Sequence, residues 1–503
     1  MSNMPADWGR FAGPEEVRIE QLFTQADRLK DFSILADMPG GEIYFDLSKT
    51  HLDHAKLDLF LELADARALG DMRAALFAGD EINTSEGRAA EHTAQRGNGD
   101  DDSVSLAQHL QDRMRALVEA IHGGAFGEIK HVLHIGIGGS ALGPDLVIDA
   151  LGREEPLCHV EVVSNVDGAA LEEAFARLDP ATTLIAIASK TFTTTETMLN
   201  ANSAVQWLEQ EGVDDPYGRV VALTASPDKA VEWGIDQSRV LPFSDTVGGR
   251  YSIWSSIGFP VAIALGWNEF DAFLRGAAAM DKHFLEADFT RNAPVMAAFA
   301  DLYYAQIASA QTRAVFAYDE RLRLLPSYLQ QLEMESNGKS VTRDGVPLGY
   351  PTAPITWGGV GTDAQHAVFQ LLHQGTHVLP VEFIVSKTPG HDLDPAHHQN
   401  LLTNCFAQGA ALMTGRSADD PARSYTGDRP STTILLDDIT PSSLGALIAF
   451  YEHRTFVNAV ILGINPFDQF GVELGKEIAK AMNGGGEMEF DPSTQKLIEL
   501  SAL

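Results

Sequence analysis

The chain has 503 residues, more than one ordinary core accommodates, because domains usually run to about 100–200 residues. Its composition is that of a globular protein, with 45% hydrophobic and 21% charged residues. The 36 basic and 70 acidic residues give a formal charge of −34. Such a surface repels nucleic acid phosphates and anionic lipid, so we expect neither nucleic acid nor a membrane as a partner.

Cysteine content and apolar runs indicate the compartment. Cys158 and Cys405 are too few for a disulfide framework and are expected to be buried thiols. Residues 1–8 lack the basic segment and apolar stretch of a signal peptide. The most apolar run, residues 257–267, is broken by Gly and Pro and is shorter than the ~20 residues of a membrane helix. These features predict a cytoplasmic protein.

The first hundred residues predict mainly helix and loop. Apolar side chains recur at helical spacing over residues 57–73, and Asn83-Thr84-Ser85-Glu86 has the pattern of a helix start. Residues 96–103, rich in Gly and Asp, predict an internal linker or an exposed loop. We therefore expect residues 1–110 to form a helical segment that packs on the second of two larger domains.

Short apolar strands alternate with helices over the rest of the chain, the pattern of a parallel sheet covered on both faces. Strands are predicted at residues 132–137, 160–163, 183–188, 220–223, 314–318, 381–385 and 433–436. The fold class is therefore α/β, with two αβα-sandwich domains of mainly parallel sheets and helical N- and C-terminal segments. The domains are expected at residues 111–270 and 271–503.

The C-terminal helices carry boundary signals. Thr440-Pro441 predicts an N-cap followed by a first-turn proline. Asn465-Pro466 predicts the end of that helix, and Asp468 the start of the next one.

The stretch Gly136-Ile137-Gly138-Gly139-Ser140-Ala141 follows a predicted strand and opens a helix. Glycines at this place let backbone N–H groups approach an anion at the positive helix end. The same pattern fits a tight turn without a ligand, or a dinucleotide site. A nicotinamide-dependent oxidoreductase needs an acidic residue at the end of the next strand, whereas Glu161 begins that strand.

A later strand ends in Ser189-Lys190-Thr191-Phe192-Thr193-Thr194-Thr195-Glu196-Thr197. Several hydroxyls and one lysine at a helix N-terminus are suited to bind a phosphate group. A capping box of Thr193 with Glu196 is the structural alternative, but it explains only two of these residues. We predict a phosphate site here.

Two further segments supply candidate reactive groups. Arg250 follows Gly248-Gly249, where a guanidinium held close to backbone stabilises charge that develops on a substrate oxygen; a structural ion pair is the alternative. Gln331 and Glu335 share one face of a helix that Asn337-Gly338 ends. Glu335 lies near the negative end of the helix dipole and is a candidate general base; a solvated surface acid is the alternative.

Three more positions are candidates. His366 lies at the start of a predicted helix, and an imidazole, whose ordinary pKa is near neutrality, is suited to shuttle protons, although a lone histidine in an apolar helix is more often structural. Gln469 and Lys476 are two turns apart and point the same way on a predicted helix. An ion pair of Glu473 with Lys476 on a solvated face is the alternative.

A histidine cluster lies further along the chain, at His391, His397 and His398, near Asp392 and Asp394. Its spacing fits no standard zinc pattern, so we predict a structural role and no metal site.

In their order along the chain and in their residue patterns, these segments resemble those of the glucose-6-phosphate isomerase family. The likeness is carried by residues 82–88, 136–140, 189–197, 248–258, 331–339, 361–366 and 467–476. It implies two sugar-isomerase αβα domains, a homodimer with a shared active site, and no metal or organic cofactor. It also implies the reversible exchange of glucose 6-phosphate and fructose 6-phosphate, a step of glycolysis and gluconeogenesis.

The resemblance implies roles for individual residues. Glu335 matches the base that moves a proton between C2 and C1, and Arg250 matches the residue that stabilises the enediolate. His366, which the family takes from the partner subunit, and Lys476 match the pair linked to ring opening. Substrate contacts are implied for Gly138, Ser140, Ser189, Lys190, Thr191, Thr194, Gln331 and Gln469.

One run departs from the family pattern, which usually has an acidic-proline and an asparagine-glycine pairing before the histidine. Residues 357–364 here read Trp-Gly-Gly-Val-Gly-Thr-Asp-Ala, so we expect an altered loop before His366. Two alternatives stay open. A non-catalytic sugar-phosphate-binding regulator would not need Glu335, His366 and Lys476 together, and a bifunctional isomerase would also accept mannose 6-phosphate.

Overall fold

The computed structural model of the chain describes residues 6–11, 17–485 and 488–501. They fall into two compact units, Met1–Pro466 and Phe467–Leu503. The first unit contains both sheets of the described residues, and the second contains the helices that follow residue 466.

The strands form two sheets. They are β1 (Ser33–Met38), β2 (Gly41–Asp46), β3 (His131–Gly136), β4 (His159–Val163), β5 (Thr183–Ala188), β6 (Val220–Thr224), β7 (Val240–Pro242), β8 (Thr312–Tyr318), β9 (Ile355–Val360), β10 (Val381–Ser386) and β11 (Ser431–Leu436). One sheet has the order β4-β3-β5-β6-β7 and is parallel throughout. The other has the order β1-β2-β11-β10-β8-β9, in which β8 to β11 are parallel and β1 and β2 antiparallel.

Helices cover the sheets and link their strands. Those of the first unit are Ala6–Gly9, Ile19–Leu22, Arg28–Asp31, His54–Ala66, Leu69–Ala78, Asp101–His122, Leu142–Leu151, Gly168–Phe175, Thr195–Gln210, Pro227–Glu232, Phe259–Leu265, Trp267–Glu286, Ala293–Leu302, Leu325–Leu329, Asp363–Gln374, Ala396–Thr414 and Pro441–Leu462. The second unit contains Glu473–Lys480 and Pro492–Ser501. None of the described helices combines the length and apolar character needed to cross a membrane.

The predicted α/β class is confirmed, and its physical basis is burial of the central strands. Every residue of β5, β6 and β10 is buried, as expected for parallel strands with helices on both faces. All seven predicted strands are present. Cys158 and Cys405 are buried free thiols, also as predicted. The domain boundaries at residues 110/111 and 270/271 stay a prediction.

The N-terminal segment differs from the predicted helix and loop, because residues 33–46 form a β-hairpin. Burial alternates along β1, with Ile34 and Ala36 buried and Leu35 exposed, which is the period of a half-buried strand. Gly40, with φ +89°, makes the turn. Strand β2 then pairs antiparallel with β11, so the N-terminal segment extends the second sheet.

Two helix predictions near the N-terminus were wrong in detail. The predicted helix at residues 57–73 is two helices, His54–Ala66 and Leu69–Ala78, separated where Ala68 has a φ of +53°. Residues 83–86 belong to a turn closed by a bridge between Asn83 and Arg88, and do not start a helix. The Asn83 side chain bonds to Glu86 in this turn and so provides no helix cap.

The predicted linker or exposed loop at residues 96–103 is a short loop, residues 97–100, between a buried 3₁₀ turn and a long helix. Asp100 caps the helix Asp101–His122 by accepting hydrogen bonds from the backbone of Asp102 and Ser103. Arg96 is buried against two carboxylates from later in the chain. The polar composition therefore reflects a helix cap and a buried ion pair.

The helix Pro441–Leu462 is buried nearly all round, as an apolar helix in a protein interior must be. Thr440 caps it with Pro441 in the first turn, as predicted. Gly276 and Gly445 let it approach the helix Trp267–Glu286, since a Cβ on either would lie about 2 Å from backbone of the other helix. The helix ends at Gly463 (φ +71°), two residues before the predicted break.

Candidate active site

Two segments predicted to bind phosphate start side by side. Strands β3 and β5 are parallel neighbours, with Gly136 opposite Ala188 in the register. The glycine turn Gly138–Ser140 follows β3, and the hydroxyl-rich loop follows β5 at the same sheet edge. This edge, at the carboxyl ends of parallel strands, is where open α/β sheets bind their ligands.

The glycine turn packs directly against the segment that carries Arg250. A Cβ on Gly139 would lie 2.2 Å from the carbonyl of Gly249, so the two backbones touch and a side chain has no room. Gly138 has a φ of +58°, and the Nε2 atom of Gln331 lies 2.9 Å from where its Cβ would be. The glycine turn, the Arg250 segment and the helix that carries Gln331, all candidate segments from the sequence, therefore meet at this turn.

Arg250 and Glu335 form the central pair of the site. Nη1 of Arg250 lies 3.2 Å from the Glu335 carboxylate, Nε donates to the hydroxyl of Ser336 at 2.7 Å, and Nη2 donates to the carbonyl of Pro466. The side chain of Arg250 is 1% exposed and that of Glu335 is 21% exposed. The arginine is thus fixed in the interior, while the carboxylate keeps access to a ligand.

Glu335 lies at the end of a π-helical turn. The helix Leu325–Leu329 widens into π-helix over Gln330–Glu335, a local geometry often found at functional sites. The helical stretch ends where Gly338 donates its N–H to the carbonyl of Met334, at the predicted stop. The widened turn was not predicted, because the sequence pattern is compatible with an ordinary α-helix.

The hydroxyl-rich loop does not form the capping box that was its structural alternative. The N-cap of the helix Thr195–Gln210 is Thr194, and its side chain makes no cap bond. The Ser189 hydroxyl lies 3.1 Å from that of Thr194, and Thr193 donates to Thr191 at the surface. The hydroxyls therefore line the helix N-terminus without serving its backbone, which leaves them suited to an anion.

Cations gather around this loop despite the acidic surface of the chain. Lys190 donates to the carbonyl of Asp245 at 2.6 Å and pairs with its carboxylate at 3.1 Å. Burial, and then the charge of Arg88, lower the pKa of Lys190. Lys229 donates to the carbonyl of Thr191 at 3.2 Å. Arg88 and Lys229 were not among the predicted site residues, since neither lies in a phosphate-like pattern of its own.

A histidine that sequence reasoning overlooked supports the glycine turn. His134 lies in β3, is fully buried, and its Nε2 is 2.7 Å from the carbonyl oxygen of Ser140. Burial lowers the pKa of His134 to about 4, so the ring is neutral and donates through Nε2. A polar residue within an otherwise apolar strand was the signal available in the sequence.

His366 lies in the first unit, on a different element from Glu335. It is exposed on the helix Asp363–Gln374, beside a cavity of about 520 Å³ that Phe369, His373 and Tyr425 also line. No contact among the described residues joins it to Glu335. The run before it is not the expected altered loop, because Ile355–Val360 is strand β9, paired with β8. Gly358 permits this pairing, since a Cβ there would meet the backbone of Val315.

Gln469 and Lys476 belong to the second unit. Gln469 precedes a short 3₁₀ turn, Phe470–Val472, and Lys476 lies in the helix Glu473–Lys480. The prediction that one helix carries both from Asp468 onward was therefore wrong. The ion pair of Glu473 with Lys476 is also absent from the part of the chain that the structure describes.

The histidine cluster forms no cation site. Among the described residues, no group of three or more His, Cys, Asp or Glu side chains is arranged to hold a metal ion. His398 instead contacts the carbonyl of Lys387, and His391 accepts from the backbone of Leu393.

Two mainly parallel sheets, with a carboxylate–guanidinium pair beside the edge that carries the glycine turn and the hydroxyl-rich loop, are the architecture expected of an α/β sugar isomerase. Residues 46–498 match the family model described as phosphoglucose isomerase, and the chain belongs to this family. It is 66% identical over 491 residues to the glucose-6-phosphate isomerase of Novosphingobium aromaticivorans, covering 98% of this chain and 97% of the relative.

Other relatives agree. The chain is 60% identical over 495 residues to the glucose-6-phosphate isomerase of Zymomonas mobilis, covering 98% of this chain and 97% of that protein. The crystal structure of a glucose-6-phosphate isomerase from Chlamydia trachomatis matches with a TM-score of 0.88 at 31% identity, over 97% of this chain and 96% of that one.

Proposed function

We propose that this chain is an enzyme that interconverts glucose 6-phosphate and fructose 6-phosphate. The observation that carries the proposal is the Glu335 carboxylate held 3.2 Å from the Arg250 guanidinium, beside the glycine turn. Membership of the phosphoglucose isomerase family and the similarity to enzymes of that name support it.

The chemistry follows from this pair. In the open-chain aldose, Glu335 removes the proton on C2 and electrons move into the C1 carbonyl, which gives an enediolate. Arg250 stabilises the negative oxygen, because a preorganised cation in a buried site costs little reorganisation. Transfer of the hydroxyl proton from O2 to O1, and return of the proton from Glu335 to C1, complete the ketose. C2 is oxidised while C1 is reduced, so the step needs no external electron acceptor.

Binding of the phosphate holds the substrate in place during these steps. We assign this role to the hydroxyl-rich loop and the glycine turn, with the sugar contacted by both glutamines. The proposed contacts are Gly138, Ser140, Ser189, Lys190, Thr191, Thr194, Gln331 and Gln469.

Ring opening is assigned to His366 and Lys476. His366 is exposed beside an open cavity, which supports a role in the site of a partner subunit. The active form in this proposal is a cytoplasmic homodimer with shared active sites, consistent with the acidic composition and the few cysteines.

The test is turnover of fructose 6-phosphate by the purified protein, with a chelator present and no nucleotide added. We expect glucose 6-phosphate to form, and Glu335→Gln to lower kcat by about 10²–10⁴-fold, since the amide cannot accept a proton. Binding of 6-phosphogluconate, which cannot isomerise, should change little. Glu269→Gln, at an exposed carboxylate, is the matched control.

Two results would contradict parts of the proposal, and a third would extend it. Binding without conversion by the wild type favours a sugar-phosphate-binding regulator. Near wild-type turnover by Glu335→Gln excludes this residue as the base. Conversion of mannose 6-phosphate at a comparable rate would extend the substrate range to the C2 epimer.

A further inference from the structure

The turn that carries Glu335 is held in place by the buried carboxylate of Glu333, two residues earlier. Glu333 accepts hydrogen bonds from Arg454 at 2.7 Å, from Arg313, and from the hydroxyl of Thr356 at 2.5 Å. These donors come from the helix Pro441–Leu462, from β8 and from β9. Three separate elements therefore hold one residue of the π-helical turn.

The two arginines also connect this carboxylate to a second one. Nη1 of Arg454 donates to Glu382 at 2.6 Å and Nη1 of Arg313 does so at 3.2 Å, while the hydroxyl of Tyr451 adds a bond of 2.7 Å. Burial alone would raise the pKa of Glu333, but the charges of Arg313 and Arg454 outweigh it and hold the pKa at about 2. The carboxylate is thus ionised wherever the protein is folded near neutrality.

The same helix also holds the residue on the other side of Glu335. Nδ2 of the buried Asn337 donates to the carbonyl of Thr455 at 3.0 Å. Glu333 and Asn337 flank Glu335 in the sequence, and their partners Arg454 and Thr455 are adjacent. The backbone that presents the carboxylate is therefore tied at two points to one turn of a buried helix.

A third tie reaches the arginine of the pair. Glu452, fully buried, accepts a hydrogen bond from Nε1 of Trp254 at 2.8 Å, and Arg96 binds its other carboxylate oxygen. Trp254 lies four residues after Arg250, in the same 3₁₀ segment Gly249–Trp254. Residues 452–455 thus contact the segments that carry both partners of the central pair, Arg250 and Glu335.

We infer that Arg454 is a positioning residue for the isomerisation: through Glu333 it sets the Glu335 carboxylate against Arg250, and the run 452–455 aligns both sides of the site. This inference rests on the proposed function. Buried ion pairs seldom add net stability, because desolvation offsets their attraction, so stability alone explains the cluster poorly. A misplacement of the Glu335 carboxylate by about 1 Å would lower the rate of proton transfer about 10²-fold. The contacts of the cluster prevent such a misplacement.

The test compares kcat per binding site in the wild type and Arg454→Lys, with sites counted by calorimetric titration with 6-phosphogluconate. Lysine keeps the charge but cannot bridge two carboxylates. We expect kcat per site to fall about 10–100-fold with KM within about threefold. The deuterium isotope effect for glucose 6-phosphate labelled at C2 should be at least as large as in the wild type, because proton transfer becomes the slow step.

Arg28→Lys is the matched control. Arg28 is equally buried and donates to the carbonyls of Ser48, Leu52 and Thr50, but none of its partners lies in the turn. It should lose thermal stability and keep wild-type kcat per site. An equal fall in this control, an unchanged kcat in Arg454→Lys, or a smaller isotope effect would overturn the inference.

Thr356→Val decides the question if Arg454→Lys does not fold. It removes one hydrogen bond to Glu333 and leaves every charge in place, so we expect a fall in kcat per site of about 3–10-fold with KM unchanged. Thr183→Val, at a buried strand hydroxyl bonded to Asp179, should have no such effect. Absence of turnover in the wild type would overturn the proposed function and this inference together, whereas wild-type turnover with unaltered variants overturns the inference alone.

Discussion

His134 is neutral in the folded protein, and this makes a prediction for acid stability. Burial lowers the pKa of His134 to about 4, against about 6.5 in an unfolded chain. Below pH 6.5 His134 is protonated in the unfolded chain, whereas in the folded state it stays neutral down to about pH 4. The free energy of unfolding therefore decreases as the pH is lowered from 6.5 to 4. At pH 5 the loss from this residue is about 2 kcal/mol.

His134→Gln should remove this contribution, since the amide keeps an N–H near Nε2 and does not titrate. We expect the free energy of unfolding to fall less between pH 7 and pH 5 in the variant than in the wild type, as measured by urea titration. His283, whose pKa is also about 4 through burial, affects both proteins alike. The exposed His109 provides the control His109→Gln, and an equal pH dependence in wild type and His134→Gln would contradict the assignment.

At the scale of residues, sequence reasoning found the central pair but not what surrounds it. Arg250 and Glu335 lie in recognisable segments, and the structure brings them together. Arg96 was assigned to an internal linker or exposed loop, yet its side chain is fully buried against Asp281 and Glu452. Burial of a charge depends on partners that the fold supplies from far along the chain, and local composition does not reveal them.

At the scale of elements, the contact between the glycine turn and the Arg250 segment can be tested by mutation. A Cβ on Gly139 would lie 2.2 Å from the carbonyl of Gly249, so Gly139→Ala must push the two segments apart. Because Arg250 follows Gly249 directly, we expect kcat/KM to fall by about 10²-fold or more. Gly168→Ala is the control, since nothing lies within 4 Å of its Cβ position. Steady-state kinetics on both variants would expose an error if Gly139→Ala retained wild-type kcat/KM.

Elements with a strong local period were predicted well, and those that depend on tertiary context were not. The buried runs β3, β5 and β6 were found because continuous apolar residues followed by helices indicate parallel strands. The hairpin 33–46 was missed because the alternation of apolar and polar residues in its sequence is weak, and because β2 also pairs with β11, nearly 400 residues later. Strand β9 was missed because its glycines suggest a loop, although they are what lets it approach β8.

At the scale of the whole molecule, one buried helix connects the parts of the site. Pro441–Leu462 contacts the Arg250 segment through Glu452 and the Glu335 turn through Arg454. The strands around these segments belong to different sheets. The helix thus contacts the segments of both members of the Arg250–Glu335 pair, although these come from distant parts of the chain.

The proposed homodimer with shared active sites predicts the result of mixing two variants that we expect to be inactive. If His366 serves the partner's site, a heterodimer of Glu335→Gln and His366→Leu has one site with both changes and one with neither. Half of the dimers in an equal, randomised mixture are heterodimers, so about a quarter of wild-type activity should return. Denaturing and refolding the variants together, then assaying fructose 6-phosphate, measures this. If each subunit used its own His366, every heterodimer site would carry one lesion and no activity would return.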